Sequence, residues 1–143
     1  MLSFILFTVF DALWHGGLLA DFYGQRLLLL DPSTHGEVPG FSPFILFVEA
    51  INAVALSYFV LSHAPTGKPL ADVAWIGALL GFTVSGSVNF LNHALLSHWD
   101  IVIALVDTAF GTIVGLVVAL AIAFACGEKP KKGKGILGLM KWS

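Results

Sequence analysis

The sequence predicts an all-α, polytopic membrane protein with four transmembrane helices in a compact antiparallel bundle and both termini in the cytoplasm. Three observations predict it: a very apolar composition, four long apolar stretches, and basic residues concentrated after the last stretch. Of the 143 residues, 57% are hydrophobic and 11% are charged, and the mean hydropathy is +0.90. So few charges do not cover a soluble protein of this size, which excludes a disordered chain, a nucleic-acid-binding protein and a cytosolic α/β enzyme.

The four apolar stretches approach or exceed the roughly 20 residues that a helix needs to cross the hydrocarbon core. They cover residues 1–20, 43–61, 73–96 and 101–126. We expect them to form one transmembrane domain, residues 1–127, followed by a Lys-rich tail, residues 128–143. The first stretch is interpreted as a retained span rather than a cleaved signal, because Asp11 interrupts it and no basic segment precedes it.

The connections between the spans differ in length. The first, residues 21–42, is long, and its aromatic and leucine residues around Arg26 indicate a helical extension or an interfacial helix that ends at turn residues 31–33. The third connection covers only residues 97–100, so spans three and four are predicted to form a tight antiparallel hairpin with Trp99 at the membrane interface.

The basic residues predict the orientation of the bundle. Five of the seven Lys and Arg residues lie in the last fifteen positions. If this tail is cytoplasmic, an even number of spans places the N-terminus and Lys68 on the same side. We therefore expect a multi-pass membrane protein with both termini inside and the connection at residues 21–42 outside.

Small residues four apart predict close helix packing in three of the spans, because they allow backbones to approach inside lipid. The alternative is that these glycines reflect only the general frequency of glycine in membrane helices. The pairs are Ala12 and Gly16, Gly77 and Gly81, and Gly111 and Gly115.

Each predicted span also carries polar residues, and their depths agree. Counted at about 1.5 Å per residue from the outer ends of the spans, five of them lie roughly 9–14 Å deep and three lie roughly 4–8 Å deep. The deeper residues are Asp11, Glu49, Asn52, Asn89 and Asp107, and the shallower ones are His15, Asn92 and His93. We expect a polar cluster in the outer half of the bundle, with these eight residues as candidates for a ligand or proton site.

Three of these residues are carboxyls, and the predicted spans contain no Lys or Arg. An ionised carboxylate at the centre of a membrane helix costs about 2.5–3.5 kcal/mol on insertion scales, so a neutralising partner is expected. The sequence leaves five candidates open: protonation, an imidazolium at His15 or His93, a bound cation, contact with Arg26, and water in an outward-facing cavity.

Four hypotheses follow for the polar cluster. The first two, which are favoured, make the protein a non-enzymatic membrane component: an accessory subunit that binds other membrane-protein subunits, or a module that handles a small ligand or protons. The alternative is a metal-dependent membrane enzyme that uses His15, Glu49, His93 and Asp107 as candidate ligands, although no HExxH or related spacing occurs. The fourth is a hydrogen-bonded polar core that only fixes helix register. The sequence identifies no cofactor, and the lipid bilayer is the expected partner.

Motifs in the first and last spans resemble a family of small bacterial membrane proteins, domain of unknown function 2177. The first helix carries Asp-x-x-Trp followed by Phe-Tyr, and the last hairpin carries Trp-x₇-Asp-Thr-Ala-Phe-Gly-Thr after Asn-x-x-Asn. The resemblance covers most of the chain and implies four membrane helices in a bacterial inner membrane, but no established activity. Positions that match are Asp11, Trp14, Phe22, Tyr23, Asn92, Trp99, Asp107, Gly111 and Thr112, whereas Asn89 stands in place of Asp and Phe110 in place of Trp.

The spacing of Asp and an aromatic residue is the same in spans one and four. Asp11 precedes Trp14 by three residues, and Asp107 precedes Phe110 by three. Because the two helices are expected to run in opposite directions, either an inverted repeat or chance explains this pattern.

Overall fold

The computed structural model describes residues 1–30, 43–63 and 69–126, which are mostly helical. The helices are α1 (Leu2–Leu13), a π-helical turn (Trp14–Leu18), α2 (Ala20–Leu30), α3 (Pro43–His63), α4 (Leu70–Leu95) and α5 (Ile101–Ala125). The predicted turn at residues 31–33, Lys68 and the Lys-rich tail lie outside the described residues.

Helices α3, α4 and α5 are each long and apolar enough to cross a membrane. The fourth candidate span is bent, because residues 2–18 and the beginning of α2 meet at an angle of 71°. The bend occurs at Leu19, whose backbone leaves the helical region at φ −120° and ψ 19°. The described chain is thus all-helical, with three candidate spans, or four if the bent pair counts as one.

The closest helix pair is formed by α4 and α5, which touch along the glycines noted in the sequence. A Cβ placed on Gly77 would overlap the carbonyl oxygen of Gly115, and one placed on Gly81 would overlap that of Gly111. This order of contacts makes the two helices antiparallel and confirms the predicted role of both glycine pairs. A Cβ placed on Gly16 would have no atom within 4 Å. The predicted close packing at Ala12 and Gly16 is therefore wrong, because no neighbouring helix approaches Gly16.

The turn between α4 and α5 is as short as predicted. Helix α5 begins after Asp100, whose side chain accepts a hydrogen bond of 2.8 Å from the backbone N–H of Val102 and so caps the helix. His98 reverses the chain in the left-handed region, at φ 71°. Trp99 lies in this turn, and its carbonyl oxygen is 2.7 Å from Nδ1 of His93.

A cluster of buried apolar side chains lies toward the end of the bundle that is opposite this turn. We call this end the core half, and we call the end with the α4–α5 turn the turn-end half. The outer faces of the helices expose many large apolar side chains, as expected for contact with lipid. The core cluster consists of Leu56, Val60, Val73, Val114, Val118, Ala119 and Ile122.

Candidate ligand-binding site in the turn-end half

A cavity of about 310 Å³ lies among α1, the π-helical turn, α3, α4 and α5. Its walls are mostly apolar, but polar side chains from every one of these segments reach it. Six of the eight candidate residues predicted from the sequence line this cavity: Asp11, His15, Glu49, Asn52, Asn89 and Asp107. Residues at similar predicted depths in four separate spans therefore line one cavity.

His15 connects two of the carboxyls. Its Nδ1 lies 2.9 Å from Oδ1 of Asp11, and its Nε2 lies 3.5 Å from Oδ1 of Asp107. A neutral imidazole carries one N–H, whereas an imidazolium donates from both nitrogens. The geometry therefore suits an imidazolium between two carboxylates, which is one of the neutralising arrangements expected from the sequence.

Two aromatic residues extend this bridge. The phenolic O–H of Tyr23 donates to Oδ1 of Asp107, and the indole N–H of Trp14 donates to the oxygen of Tyr23 over 3.0 Å. Trp14 also stacks on Phe110, with ring centroids 4.4 Å apart and planes inclined by 8°. These contacts tie the π-helical turn and α2 to α5, so the bend in the first span positions the donors for Asp107.

Glu49 differs from the other two carboxyls of the cavity. Its side chain is only 8% exposed. Within the part of the chain that the structure describes, its Oε2 atom is buried without a hydrogen-bond partner. A buried carboxyl oxygen without a partner is costly.

Arg26 forms its ion pair with Asp100 and not with a carboxyl inside the spans. Its Nε donates to Oδ2 of Asp100 over 2.6 Å, and its guanidinium carbon lies 3.8 Å from the centroid of the Phe22 ring. The N–H of Val102 and the guanidinium of Arg26 lower the pKa of Asp100 below its usual value. This ion pair fastens α2 to the α4–α5 turn at the rim of the turn-end half.

Asn92 and His93 do not line the cavity. His93 is exposed and faces the Trp99 carbonyl in the α4–α5 turn, so it is not beside His15, Glu49 and Asp107. Among the residues that the structure describes, no three His, Cys, Asp or Glu side chains form a group suited to hold a metal ion.

Comparison with known proteins supplies the family. A model of the family DUF2177, described as a predicted membrane protein, matches residues 1–124. The chain belongs to the DUF2177 family. This confirms the resemblance seen in the motifs of the first and last helices. No curated protein and no solved structure matches the chain significantly.

Three residues of the site in this DUF2177 protein were not among the predicted candidates. Tyr23 lies beyond the bend, and Trp14 looks in the sequence like any other aromatic residue of a span. Ser85 lines the cavity one turn before Asn89. The amide nitrogen of Asn89 donates to the Ser85 carbonyl oxygen over 3.0 Å. The signal for Trp14 was the equal Asp-aromatic spacing in spans one and four, because Trp14 and Phe110 stack directly on each other.

Proposed function

We propose that this DUF2177 protein is a non-enzymatic membrane module that binds a small cationic ligand in the cavity of the turn-end half. The observation that carries the proposal is the unpartnered, buried Oε2 of Glu49 in a cavity that also holds Asp11 and Asp107. A site of this kind is a functional candidate by default in a membrane protein, because an ionisable group there is costly.

The charges that line the cavity favour a cation. They comprise three carboxyls and one imidazole, and no Lys or Arg is among the described lining residues. Even with His15 charged, the ionised cavity keeps an excess of negative charge. A bound cation beside Glu49 offsets this excess in a low-dielectric environment, whereas an anion increases the repulsion.

Membrane topology determines which side the ligand reaches first. The Lys-rich tail supports an antiparallel bundle of four spans with both termini in the cytoplasm of a bacterial cell. In that orientation the α4–α5 turn lies at the outer face of the inner membrane. The cavity then lies in the outer half of the bundle, and ligand reaches it from the outside or from the outer leaflet.

Direct binding of radiolabelled methylammonium tests the proposal. The purified protein is placed in nanodiscs of neutral lipid, and saturable binding is measured by equilibrium dialysis at constant ionic strength. We expect one site per chain in the wild type and at least tenfold weaker binding in Glu49→Gln. Asp21→Asn is the matched control, because it neutralises an exposed carboxyl that does not line the cavity. Absence of saturable binding, or equal binding by Glu49→Gln, would contradict the proposal.

A further inference from the structure

The cavity has a side that faces the lipid. Three of its lining valines are about half exposed: Val48 on α3 is 51% exposed, and Val84 and Val88 on α4 are 44% and 54% exposed. A side chain that lines a cavity and is also half exposed marks a place where the cavity reaches the surface. The cavity therefore opens between α3 and α4.

The surroundings of this opening are apolar. Phe47 on α3 and Leu91 on α4 are large apolar residues with exposed side chains. Both helices are long and apolar enough to span the membrane. Acyl chains rather than water are the solvent expected at such a surface. A molecule that enters between α3 and α4 therefore arrives from within the bilayer.

The two ends of the cavity suit different chemical groups of a ligand. Beside the opening, the walls are valines and other apolar side chains, which match an alkyl chain. Deeper inside, Glu49 presents a buried oxygen that lacks a partner in the described part of the chain. A primary ammonium group carries positive charge and three N–H donors, so it can bond Glu49 and further lining oxygens such as that of Asn52.

We propose that the ligand is an amphipathic primary amine that enters laterally between α3 and α4, with its ammonium group at Glu49 and its alkyl chain in the valine-lined opening. This inference rests on the proposed function and narrows the ligand from a small cation to a lipid-soluble one. A purely hydrophilic cation leaves the apolar walls unfilled, and an amphipathic anion meets the negative charge of Asp11, Glu49 and Asp107.

Displacement of labelled methylammonium by alkyl compounds in nanodiscs tests the ligand class. Dodecylamine, with its concentration expressed as mole fraction in the bilayer, is compared with dodecyl sulfate and dodecanol, which carry the same alkyl chain without the amine. We expect dodecylamine to displace the label completely and the two other compounds to displace less than a tenth of it. Equal displacement by all three would overturn the inference, because it would show only a general effect on the bilayer.

Filling the opening with a larger side chain tests whether the alkyl chain lies there. Val88→Trp is expected to weaken dodecylamine binding at least tenfold and methylammonium binding less than threefold. Val117→Trp is the matched control, since Val117 is exposed on α5 and does not line the cavity. Equal dodecylamine binding in Val88→Trp and the control would overturn the placement of the alkyl chain in this opening. Light scattering provides a further check: a dimer that Val88→Trp dissociates would make this opening a contact between copies and would overturn the inference.

The two proposals fail in different ways. Glu49-dependent binding of methylammonium without preferential binding of dodecylamine would leave a cation site and remove the amphipathic ligand. Loss of both would remove the cation site itself. Circular dichroism and gel filtration of each variant establish that a change in binding is not a failure to fold.

Discussion

The core half and the turn-end half of the bundle use the same helices but differ in how closely they pack. In the core half, Gly77 and Gly115 bring α4 and α5 into backbone contact, and the surrounding apolar side chains are fully buried. In the turn-end half, charged and polar side chains reach into an open cavity of about 310 Å³ whose walls are otherwise apolar. The difference indicates that the core half holds the bundle together, whereas the turn-end half accepts an incompletely satisfied polar group.

The largest effect is expected in the core half. Gly77→Leu places a side chain where the Gly115 backbone and Ala119 already lie. Overpacking of this kind typically costs about 1–3 kcal/mol and here acts directly on a backbone contact. We expect aggregation or a strongly lowered unfolding temperature in detergent. Gly17→Leu is the matched control, because no atom lies within 4 Å of its Cβ position, and it should unfold within a few degrees of the wild type. Equal unfolding temperatures in the two variants would contradict the assigned helix contact.

The next largest effect is expected at the carboxyl that has the most partners. Asp107→Leu leaves the Tyr23 hydroxyl without its acceptor and His15 without one of its two carboxylates. A buried polar group left without a partner costs about 1–3 kcal/mol. We expect both a lower unfolding temperature and a loss of methylammonium binding. An unchanged unfolding temperature would show that the bridge does not stabilise the bundle.

A smaller effect is expected from Tyr23→Phe. The change removes the donor to Asp107 and the acceptor for the Trp14 indole but keeps the buried ring. With a net value of about 1 kcal/mol for a typical hydrogen bond, the unfolding temperature should fall less than in Asp107→Leu. Thermal unfolding followed by circular dichroism provides the comparison, and a greater loss than in Asp107→Leu would place the critical contact elsewhere.

The smallest effect is expected from His93→Ala. The side chain is exposed, faces the Trp99 carbonyl and does not line the cavity, so methylammonium binding should change less than twofold. This variant also tests the metal-dependent alternative, in which His93 is a ligand. Elemental analysis of the wild type and His93→Ala completes the test: a stoichiometric metal that is lost with His93 would support that alternative and contradict the cation site.

The helices and the polar cluster were predictable because both follow from spacing along one chain. Hydropathy and length indicated α3, α4 and α5, and the four glycines indicated their closest contact. Counting residues along each span predicted similar membrane depths for Asp11, Glu49 and Asp107. In the structure, all three line one cavity. These predictions use distances along a helix axis, which the rise per residue fixes.

The partners of the charges were less predictable, because they depend on helix rotation and on the bend. The sequence left open an imidazolium at His15 or His93 and contact with Arg26, besides protonation, a bound cation and water, as ways to neutralise the carboxyls. The structure pairs His15 with Asp11 and Asp107 and pairs Arg26 with Asp100. The 71° bend after the π-helical turn turns Tyr23 toward Asp107, and nothing in the apolar periodicity of span one indicates that angle.

The most direct test combines the binding and the stability of Glu49→Gln in one preparation. Oε2 of Glu49 has no partner among the described residues, so the variant removes a buried charge without breaking a hydrogen bond of that oxygen. We predict at least tenfold weaker methylammonium binding together with an unfolding temperature equal to or above that of the wild type. Retained binding, or an unfolding temperature lowered as far as that of Asp107→Leu, would contradict the claim that this carboxyl is kept for a ligand.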